Sequence, residues 1–370
     1  MNPNRISPRR WAIAFLTTWT LVWLSGPLHV DSILVRVFDP DLGVNTLRPG
    51  DVVRWRSEGW AETRIGPHGL PGWQPRGPGW RSNGIGRRVV IWGDSQVEGV
   101  CVPDPIKIHS QAIRIAADHH SLTLDCLPMG RSGADARDWQ DLTAAADALW
   151  QPDLHIWVIT DLSDLTALSA IEQPAPYRRW TAGSPAWVKL AAAIRAEAAF
   201  AVAKRLFYDP DTGGRRRLDF SLGPRTSSVA VLTTAGEGFA DVADADGAAI
   251  DRDDRFASIV AQVVAELRSV AGELDGRLAL VYAPSVPYLG AGVEYVDRDA
   301  DAFERLRRPL AEAGIAVVDV GDDFNALWDQ ETTFPRGFHN GMPAAGHLNE
   351  AGNRLVARSI VSLVRERLER

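Results

Sequence analysis

The sequence predicts a doubly wound α/β domain, built on a five-stranded parallel sheet, over residues 87–370. Two observations predict this fold. From residue 87 onward, short apolar runs alternate with stretches of helical periodicity, as in strands joined by crossover helices. One of these runs, at 152–159, is almost continuously apolar, which suits a central strand covered on both faces. The five strands are expected at 87–92, 122–127, 152–159, 278–282 and 315–320.

The first thirty residues differ from the rest of the chain. Arg5, Arg9 and Arg10 precede an uncharged apolar run over 11–30. About 20 such residues, rising about 1.5 Å each, match a hydrocarbon core of about 30 Å. Residues 1–30 are therefore predicted to be a cytoplasmic stub and a single transmembrane anchor in the inner membrane. The remaining chain is then periplasmic or extracellular. A cleaved signal peptide is the alternative, and it also exports the body of the protein.

Residues 31–86 are rich in Gly, Pro and Trp, with short alternating pieces such as 51–56. We interpret them as a loop-rich or short-stranded linker between the anchor and the main domain, and no chemistry is visible in it. Four tryptophans lie in this segment: Trp55, Trp60, Trp73 and Trp80. They are expected to pack the segment onto the domain, with sugar stacking or contact with the membrane surface as alternatives.

Composition and cysteine usage limit the possible partners. The chain is 45% hydrophobic and 24% charged, with a net charge of -7, which argues against nucleic acid as a partner. The two cysteines, Cys101 and Cys126, allow either a disulfide or two buried thiols, and their spacing does not indicate a metal site. No phosphate-binding glycine loop follows the first strand, so a dehydrogenase or kinase is disfavoured and no cofactor is expected. The Gly-x-Ser-x-Gly motif of secreted lipases is also absent.

The region at about 170–250 is predicted to be an insertion that shapes a pocket. A helix is expected at 185–208 and a strand at 229–233. An acidic run follows at 241–254, but it lacks the ligand spacing of a calcium-binding loop, so we interpret it as a solvated loop rather than a metal site.

Two stretches carry candidate chemistry. Gly93-Asp94-Ser95 ends the first strand and places a serine hydroxyl at the C-terminal edge of the sheet, where open α/β sheets hold their sites. His347 precedes the last helix, which Asn349 can cap, and this places the imidazole at the same edge. A serine needs such a base to become nucleophilic. His339 is the alternative base.

These residues resemble the sequence blocks of the SGNH/GDSL hydrolase superfamily, in the family's order. Gly93-Asp94-Ser95 looks like the first block, 130–133 (Gly-Arg-Ser-Gly) like the second, and 346–353 around His347 like the fifth. The resemblance implies a flavodoxin-like three-layer sandwich, the SGNH hydrolase fold. It implies Ser95 as nucleophile with Asp94 in the same turn, and His347 as the base. The amides of Ser95 and Gly133 would form an oxyanion hole.

Two positions depart from the family's pattern. Ser163 stands where the third block has an oxyanion-binding Asn, and Ala344 stands where the family has the acid that orients the histidine. Loss of an oxyanion donor costs about a hundredfold or more in rate. The possibilities are a Ser-His dyad, a carboxylate from elsewhere, or lost catalysis. The carboxylates expected at the same sheet edge are Asp161, Asp164, Asp322 and Asp323.

The expected chemistry is acyl transfer through an ester on Ser95. The predicted anchor and the form of residues 95–99 resemble bacterial SGNH proteins that partner membrane-bound O-acyltransferases. This implies transfer or removal of acetyl or other acyl groups on an envelope or exported glycan, with an integral membrane O-acyltransferase as a candidate partner. The alternative is a catalytically impaired SGNH-fold protein that binds glycan or acts as a scaffold in an acylation complex.

Overall fold

A computed structural model describes residues 7–77, 86–169, 183–199, 252–284, 300–341, 344 and 346–368. The strands are β1 (Arg36–Asp39), β2 (Val44–Leu47), β3 (Val52–Trp55), β4 (Ala61–Arg64), β5 (Gly86–Gly93), β6 (Thr123–Gly130), β7 (Leu154–Ile159), β8 (Leu278–Tyr282) and β9 (Ala316–Asp319). The helices of eight or more residues are α1 (Pro8–His29), α3 (Ile108–His120), α4 (Ala136–Trp150), α6 (Ala186–Ala193), α7 (Arg252–Glu273), α8 (Ala300–Glu312), α9 (Gly321–Glu331) and α10 (Glu350–Leu368). Two single-turn helices are α2 (Ser95–Glu98) and α5 (Ser163–Thr166).

The main sheet has five parallel strands in the order β6-β5-β7-β8-β9. This is the flavodoxin-like order, in which the sheet grows outward on both sides of the first strand. The predicted five-stranded parallel sheet is confirmed, and β8 has the predicted bounds. Helix α9, which lies directly after the last strand, was not predicted from the sequence.

Apolar layers cover both faces of the sheet. In β5, Val89 and Ile91 face a layer that includes α3, α9 and α10, whereas Val90 and Trp92 face a layer that includes α4, α7 and α8. All four side chains are fully buried. A strand with two covered faces needs apolar residues at successive positions, which explains the continuous apolar runs of the sequence.

The apolar N-terminal run forms helix α1, but the predicted transmembrane anchor is not found. Among the described helices, none is both long enough and apolar enough to cross a membrane.

The segment predicted as a linker folds into two antiparallel hairpins, β1–β2 and β3–β4. Both hairpins are attached to the α/β domain by buried contacts. The Arg36 guanidinium lies 2.7 Å from the carboxylate of Glu98, and the Lys107 ammonium donates to Thr63 Oγ1 at 3.0 Å. Trp73 is buried and donates its indole N–H to Asp125 at 2.9 Å, so the expected packing role is confirmed for this tryptophan.

The remaining sequence predictions concern individual residues and short segments. Cys101 and Cys126 are both buried and both free, so the alternative of two thiols is the one observed. Helix α6 begins where a helix was expected, at Ala186, and ends at Ala193. The predicted strand at 229–233, most of the predicted insertion, most of the acidic run and Trp80 lie outside the described residues.

A buried histidine couples the stability of this sheet to pH. His155 on β7 is fully buried, accepts the indole N–H of Trp92 at Nδ1 (3.1 Å), and lies 3.3 Å from Asp147 Oδ1 through Nε2. The neutral tautomer with a proton on Nε2 satisfies both contacts. Burial lowers the pKa of His155 from 6.5 to about 4, although Asp147 opposes the shift.

We expect the His155→Gln variant to lose less stability in acid than the native protein. The unfolded chain binds a proton on His155 below the ordinary value of 6.5, whereas the folded chain resists protonation down to about 4, so native stability falls as pH drops through this window. Glutamine keeps one acceptor and one donor but does not titrate. Urea unfolding should be measured at about pH 7.5 and about pH 4.5. Between these pH values, the free energy of unfolding should fall more in the native protein than in the variant, by on the order of 2 to 3 kcal/mol. Equal losses in the two proteins would contradict this assignment.

Candidate active site

The serine predicted as nucleophile lies where the sequence places it. β5 ends at Gly93, and Asp94 caps α2 by accepting the amide of Gln96 at 2.8 Å, so Ser95 opens this helical turn at the C-terminal edge of the sheet. Burial raises the pKa of Asp94, although the Gln96 amide and the charge of Arg336 oppose the shift. The Asp94 side chain is therefore committed to shaping the turn.

The histidine loop is bound to the serine turn by a direct hydrogen bond. The amide of Leu348, next to His347, donates to the side-chain oxygen of Gln96, next to Ser95, at 2.7 Å. Asn349 accepts the amides of Ala351 and Gly352 at 3.0 and 3.2 Å, which confirms the predicted cap of α10. His347 and Ser95 are thus held at one sheet edge by their immediate neighbours.

A buried arginine attaches the histidine loop to the end of β8. Arg336 is only 3% exposed and donates to the carbonyls of Ala283, Pro284 and Gly346 at 2.8, 3.3 and 3.1 Å. The carbonyl of His347 in turn accepts the amide of Gly337 at 2.9 Å. Backbone hydrogen bonds therefore fix the position from which the imidazole projects.

The carboxylate that orients His347 comes from the β3–β4 hairpin. Glu58 Oε2 lies 2.6 Å from His347 Nδ1, and Glu58 Oε1 accepts the backbone amide of the same histidine at 2.6 Å. Because a carboxylate only accepts, the ring proton lies on Nδ1, and Nε2 of the neutral ring has a free lone pair. This is the tautomer that a general base for a serine requires.

The electrostatic setting keeps Glu58 ionised. Partial burial would raise the pKa of Glu58, but the hydrogen bonds and charge of His347, with a contribution from Arg336, hold it below its ordinary value. Gly346 makes the contact possible. Its φ of 78° is left-handed, and a Cβ at this position would overlap Glu58 Oε1. Only glycine fits beside this carboxylate.

Glu58 corrects two expectations from the sequence. The segment 31–86 was expected to carry no chemistry, yet it supplies this acid. None of the four expected carboxylates bonds the His347 ring: Asp161 accepts the Ser163 amide at 2.8 Å, and Asp322 and Asp323 are exposed on α9. Ala344, the family's acid position, is buried with a left-handed φ of 61°, a poor place for a charged side chain.

Glu58 is difficult to predict from the sequence because 289 positions separate it from His347. The one local signal is an acid followed by glycine in a short turn between two alternating runs. The other expected carboxylate, Asp164, is half-buried on α5. His339, the alternative base, is exposed, and within the described ranges no acid bonds its ring.

Two backbone amides at this edge are available to an incoming anion. Gly93 pairs with Gly130 at the ends of β5 and β6, so Ser95 and Gly133 follow neighbouring strand ends. Counting only the part of the chain that the structure describes, neither the Ser95 amide nor the Gly133 amide has an acceptor. Unpaired amides at one edge are the donors that an oxyanion hole uses.

The loop that carries Gly133 is held by a buried carboxylate. Glu98 Oε2 accepts the amide and the hydroxyl of Ser132 at 3.0 and 2.6 Å, and Oε1 binds Arg36 at 2.7 Å. Burial would raise the pKa of Glu98, but the charge of Arg36 and the Ser132 hydrogen bonds outweigh it and keep the pKa low. An ionised Glu98 therefore joins the serine turn, the oxyanion loop and the β1–β2 hairpin.

Ser163, at the third-block position, lies after the end of β7, the strand next to β5. Its amide is bound to Asp161, and its hydroxyl has no hydrogen-bond partner among the residues described. The structure thus places Ser163 at the same edge with a free hydroxyl, while its part in oxyanion binding stays a prediction.

Metal-ligating side chains gather at one other place in the described chain. Asp39, Asp41 and His68 lie with their ligand atoms within 4.8 Å of one another. Asp39 already accepts the amides of Asp41 and Leu42, at 2.9 and 3.1 Å, and lies 3.1 Å from His68. Hydrogen bonds within the β1–β2 turn and the contact of Asp39 with His68, which follows β4, therefore account for this cluster.

Comparisons with known proteins give similarity at the level of whole structures only. No protein-family model matches this sequence, and no curated protein matches it significantly. Among solved structures, it is similar to a lipase/acylhydrolase from Enterococcus faecalis, with 13% identity over 76% of this chain and 96% of that one, and a TM-score of 0.37. It is also similar to the acetylxylan esterase Axe2 from Geobacillus stearothermophilus, with 14% identity over 77% and 96%, and a TM-score of 0.37. Likenesses this distant carry no argument about function, so the site is judged on its own residues.

We expect Glu58→Gln to lower kcat/KM for an aryl acetate by about 10³- to 10⁴-fold. The amide no longer compensates the imidazolium charge, and it can turn its NH₂ toward the ring and favour the wrong tautomer. Asp322→Asn, an exposed acid at this sheet edge and an expected partner from the sequence, is the matched control and should stay within about twofold of native. A native rate in the Glu58 variant would remove this residue from the site.

Proposed function

We propose that this protein is a serine esterase that cleaves acyl esters through an acyl-enzyme on Ser95. The observation that carries the proposal is the pair of 2.6 Å contacts from Glu58 to the ring and backbone of His347, in a loop bonded to the serine turn. An imidazole fixed in this tautomer, in a loop bonded to a serine turn, is suited to general-base catalysis.

The proposed reaction has two balanced halves. Ser95 Oγ attacks the ester carbonyl while His347 Nε2 takes the hydroxyl proton, and the Ser95 and Gly133 amides bind the oxyanion. The bond to the leaving oxygen then breaks, and His347 returns the proton to the departing alcohol. Water repeats the sequence on the acyl-serine, releasing a carboxylic acid and restoring Ser95. Glu58 stays ionised and stabilises the imidazolium in both halves.

The alternative of a catalytically impaired scaffold is less well supported. It rested on two departures from the family's pattern, and one of them is compensated because Glu58 supplies the carboxylate that position 344 lacks. The other, at Ser163, leaves a hydroxyl at the sheet edge and two amide donors without acceptors in the described chain. The chain's own residues thus offer a nucleophile, a base, an acid and an anion site.

We expect a fluorophosphonate probe to label the native chain at Ser95 and an aryl acetate to be hydrolysed. Ser95→Ala should abolish labelling and lower hydrolysis by at least about 10³-fold, because the proposed acyl-enzyme forms on this hydroxyl. Ser362→Ala, an exposed serine on α10, is the matched control and should behave like the native chain. Mass spectrometry of the labelled peptide identifies the site. A folded native chain that is neither labelled nor active would overturn the esterase proposal.

We further propose a glycan as the carrier of the acyl group, acetyl being the expected acyl. The support is Trp60, a large aromatic residue two positions from Glu58, which is 54% exposed. The Arg56 guanidinium lies 4.2 Å from its ring centre and is itself fixed by a 2.6 Å hydrogen bond to the Ala61 carbonyl. An exposed indole held in one orientation next to the acid is a suitable stacking platform for a sugar ring.

We expect Trp60→Ala to discriminate between large and small substrates. The rate with an aryl acetate should change less than about twofold, whereas kcat/KM for a chemically O-acetylated oligosaccharide should fall about tenfold, or about 1.4 kcal/mol. Trp187→Ala, an exposed tryptophan on α6, is the control and should lower neither rate. Equal losses on both substrates would indicate a packing role and remove the platform.

We also propose acyl transfer to a glycan and an extracytoplasmic location for the protein. The acyl-enzyme can pass its group to a glycan hydroxyl instead of water, with an integral membrane O-acyltransferase as partner. The form of residues 95–99 supports this, and acyl turnover with and without an oligosaccharide acceptor separates transfer from hydrolysis.

An extracytoplasmic location is supported by the exposed apolar side chains of α1, among them Phe15 and Leu24, and reporter fusions after residue 77 test it.

A further inference from the structure

The turn that carries Glu58 is bound by a side chain of the histidine loop. Asn340 Oδ1 accepts the Gly59 amide at 2.7 Å, and Asn340 Nδ2 donates to the carbonyls of Arg56 and Gly59 at 2.9 and 2.8 Å. All three hydrogen bonds go to the residues that flank Ser57 and Glu58. The asparagine therefore spans the base of the turn whose tip reaches His347.

The rest of the turn needs this support. β3 ends at Trp55 and β4 begins at Ala61, so the intervening residues lie outside the ladder of the hairpin. Gly59 has a left-handed φ of 75°, and a Cβ there would approach the Cys101 carbonyl and the ring of Phe338 too closely. Asp31 holds the N-terminal side of the turn through the amides of Arg56 and Ser57, at 2.5 and 3.0 Å. Asn340 is the corresponding support on the C-terminal side.

Asn340 and His347 belong to the same loop before α10, whereas Glu58 belongs to a separate hairpin. The loop therefore contacts the hairpin at two points. Asn340 hydrogen-bonds the backbone of the turn, and His347 hydrogen-bonds the carboxylate of Glu58. Asn340 is exposed, so its hydrogen bonds compete with water and contribute little to overall stability. Their effect is on geometry, which matters because an imidazole–carboxylate contact of 2.6 Å is lost on small displacements.

We propose that Asn340 is a positioning residue that locks the Glu58 turn onto the histidine loop, so that the acid–base couple forms only when the β3–β4 hairpin is docked. This rests on the proposed esterase function for its kinetic consequence, but the geometric coupling stands on the three hydrogen bonds. On this proposal, segment 31–77 is part of the catalytic unit.

The test is a double-mutant cycle in the full chain with Asn340→Ala, Glu58→Gln and the double variant. Asn340→Ala should lower kcat for an aryl acetate about 10- to 100-fold with KM within about twofold, and the acid limb of its pH profile should move the same way as in Glu58→Gln. The double variant should be no slower than Glu58→Gln alone, because the asparagine acts through that carboxylate. Asn340→Asp keeps one acceptor, loses both donors, and should fall between. Asn325→Ala, an exposed asparagine on α9, is the matched control and should match the native rate.

A spectroscopic readout makes the result independent of activity. The Nδ1 proton of His347, in its short bond to Glu58, should give a distinct imidazole resonance in the native chain and in Asn325→Ala, and lose it in Asn340→Ala. Multiplicative rate losses in the double variant, or an unchanged resonance in Asn340→Ala, would overturn the positioning role. A native chain that shows the resonance but no labelling of Ser95 would instead overturn the esterase proposal and leave the coupling established.

Discussion

The two contacts between Glu58 and His347 fix the imidazole on which the proposed chemistry at this sheet edge depends. One carboxylate oxygen takes the ring proton and the other takes the backbone amide, both at 2.6 Å. A single hydrogen bond leaves an imidazole free to rotate or change tautomer, whereas this paired contact fixes both. The Gln96–Leu348 bond, the glycine at 346 and the Arg336 bonds all serve to bring that ring to the serine turn.

The source of the carboxylate shows what the chemistry requires. A serine–histidine couple needs a negative charge at one place in space, and the chain position that delivers it is irrelevant. Here the position three residues before the histidine is a buried alanine, and the charge comes from a hairpin that precedes the sheet. Arg36 enters the oxyanion side of the site in the same way, through Glu98 and Ser132. The hairpin segment therefore contributes to both halves of the proposed machinery.

Prediction from the sequence succeeded where a local pattern carries the physical constraint. A strand buried on both faces needs a run of apolar residues, and β5 has one over 89–92. The position of His347 was predictable because Asn349 caps the next helix through the amides two and three residues further on, which is a local interaction. Glu58 was missed because its function arises from a contact across 289 positions, and a turn of the form acid-glycine looks the same whether its acid faces solvent or a histidine. The predicted transmembrane anchor is not found among the described helices.

Three of the carboxylates around this site have surroundings that separate their roles. Burial raises the pKa of Asp94, whose side chain caps the serine turn. Burial acts on Glu98 and Glu58 as well, but there the charges and hydrogen-bond donors of Arg36, Ser132 and His347 outweigh it and lower the pKa. Carboxyl groups whose pKa values are shifted in opposite directions take different roles in an active site. Burial disfavours the charged form of Asp94, Glu98 holds its charge to organise a loop, and Glu58 holds its charge against the ring that becomes an imidazolium in the proposed reaction. Of the three, Glu58 alone is hydrogen-bonded to His347, so in the proposed reaction the charge that balances proton transfer from Ser95 is the one delivered by the hairpin.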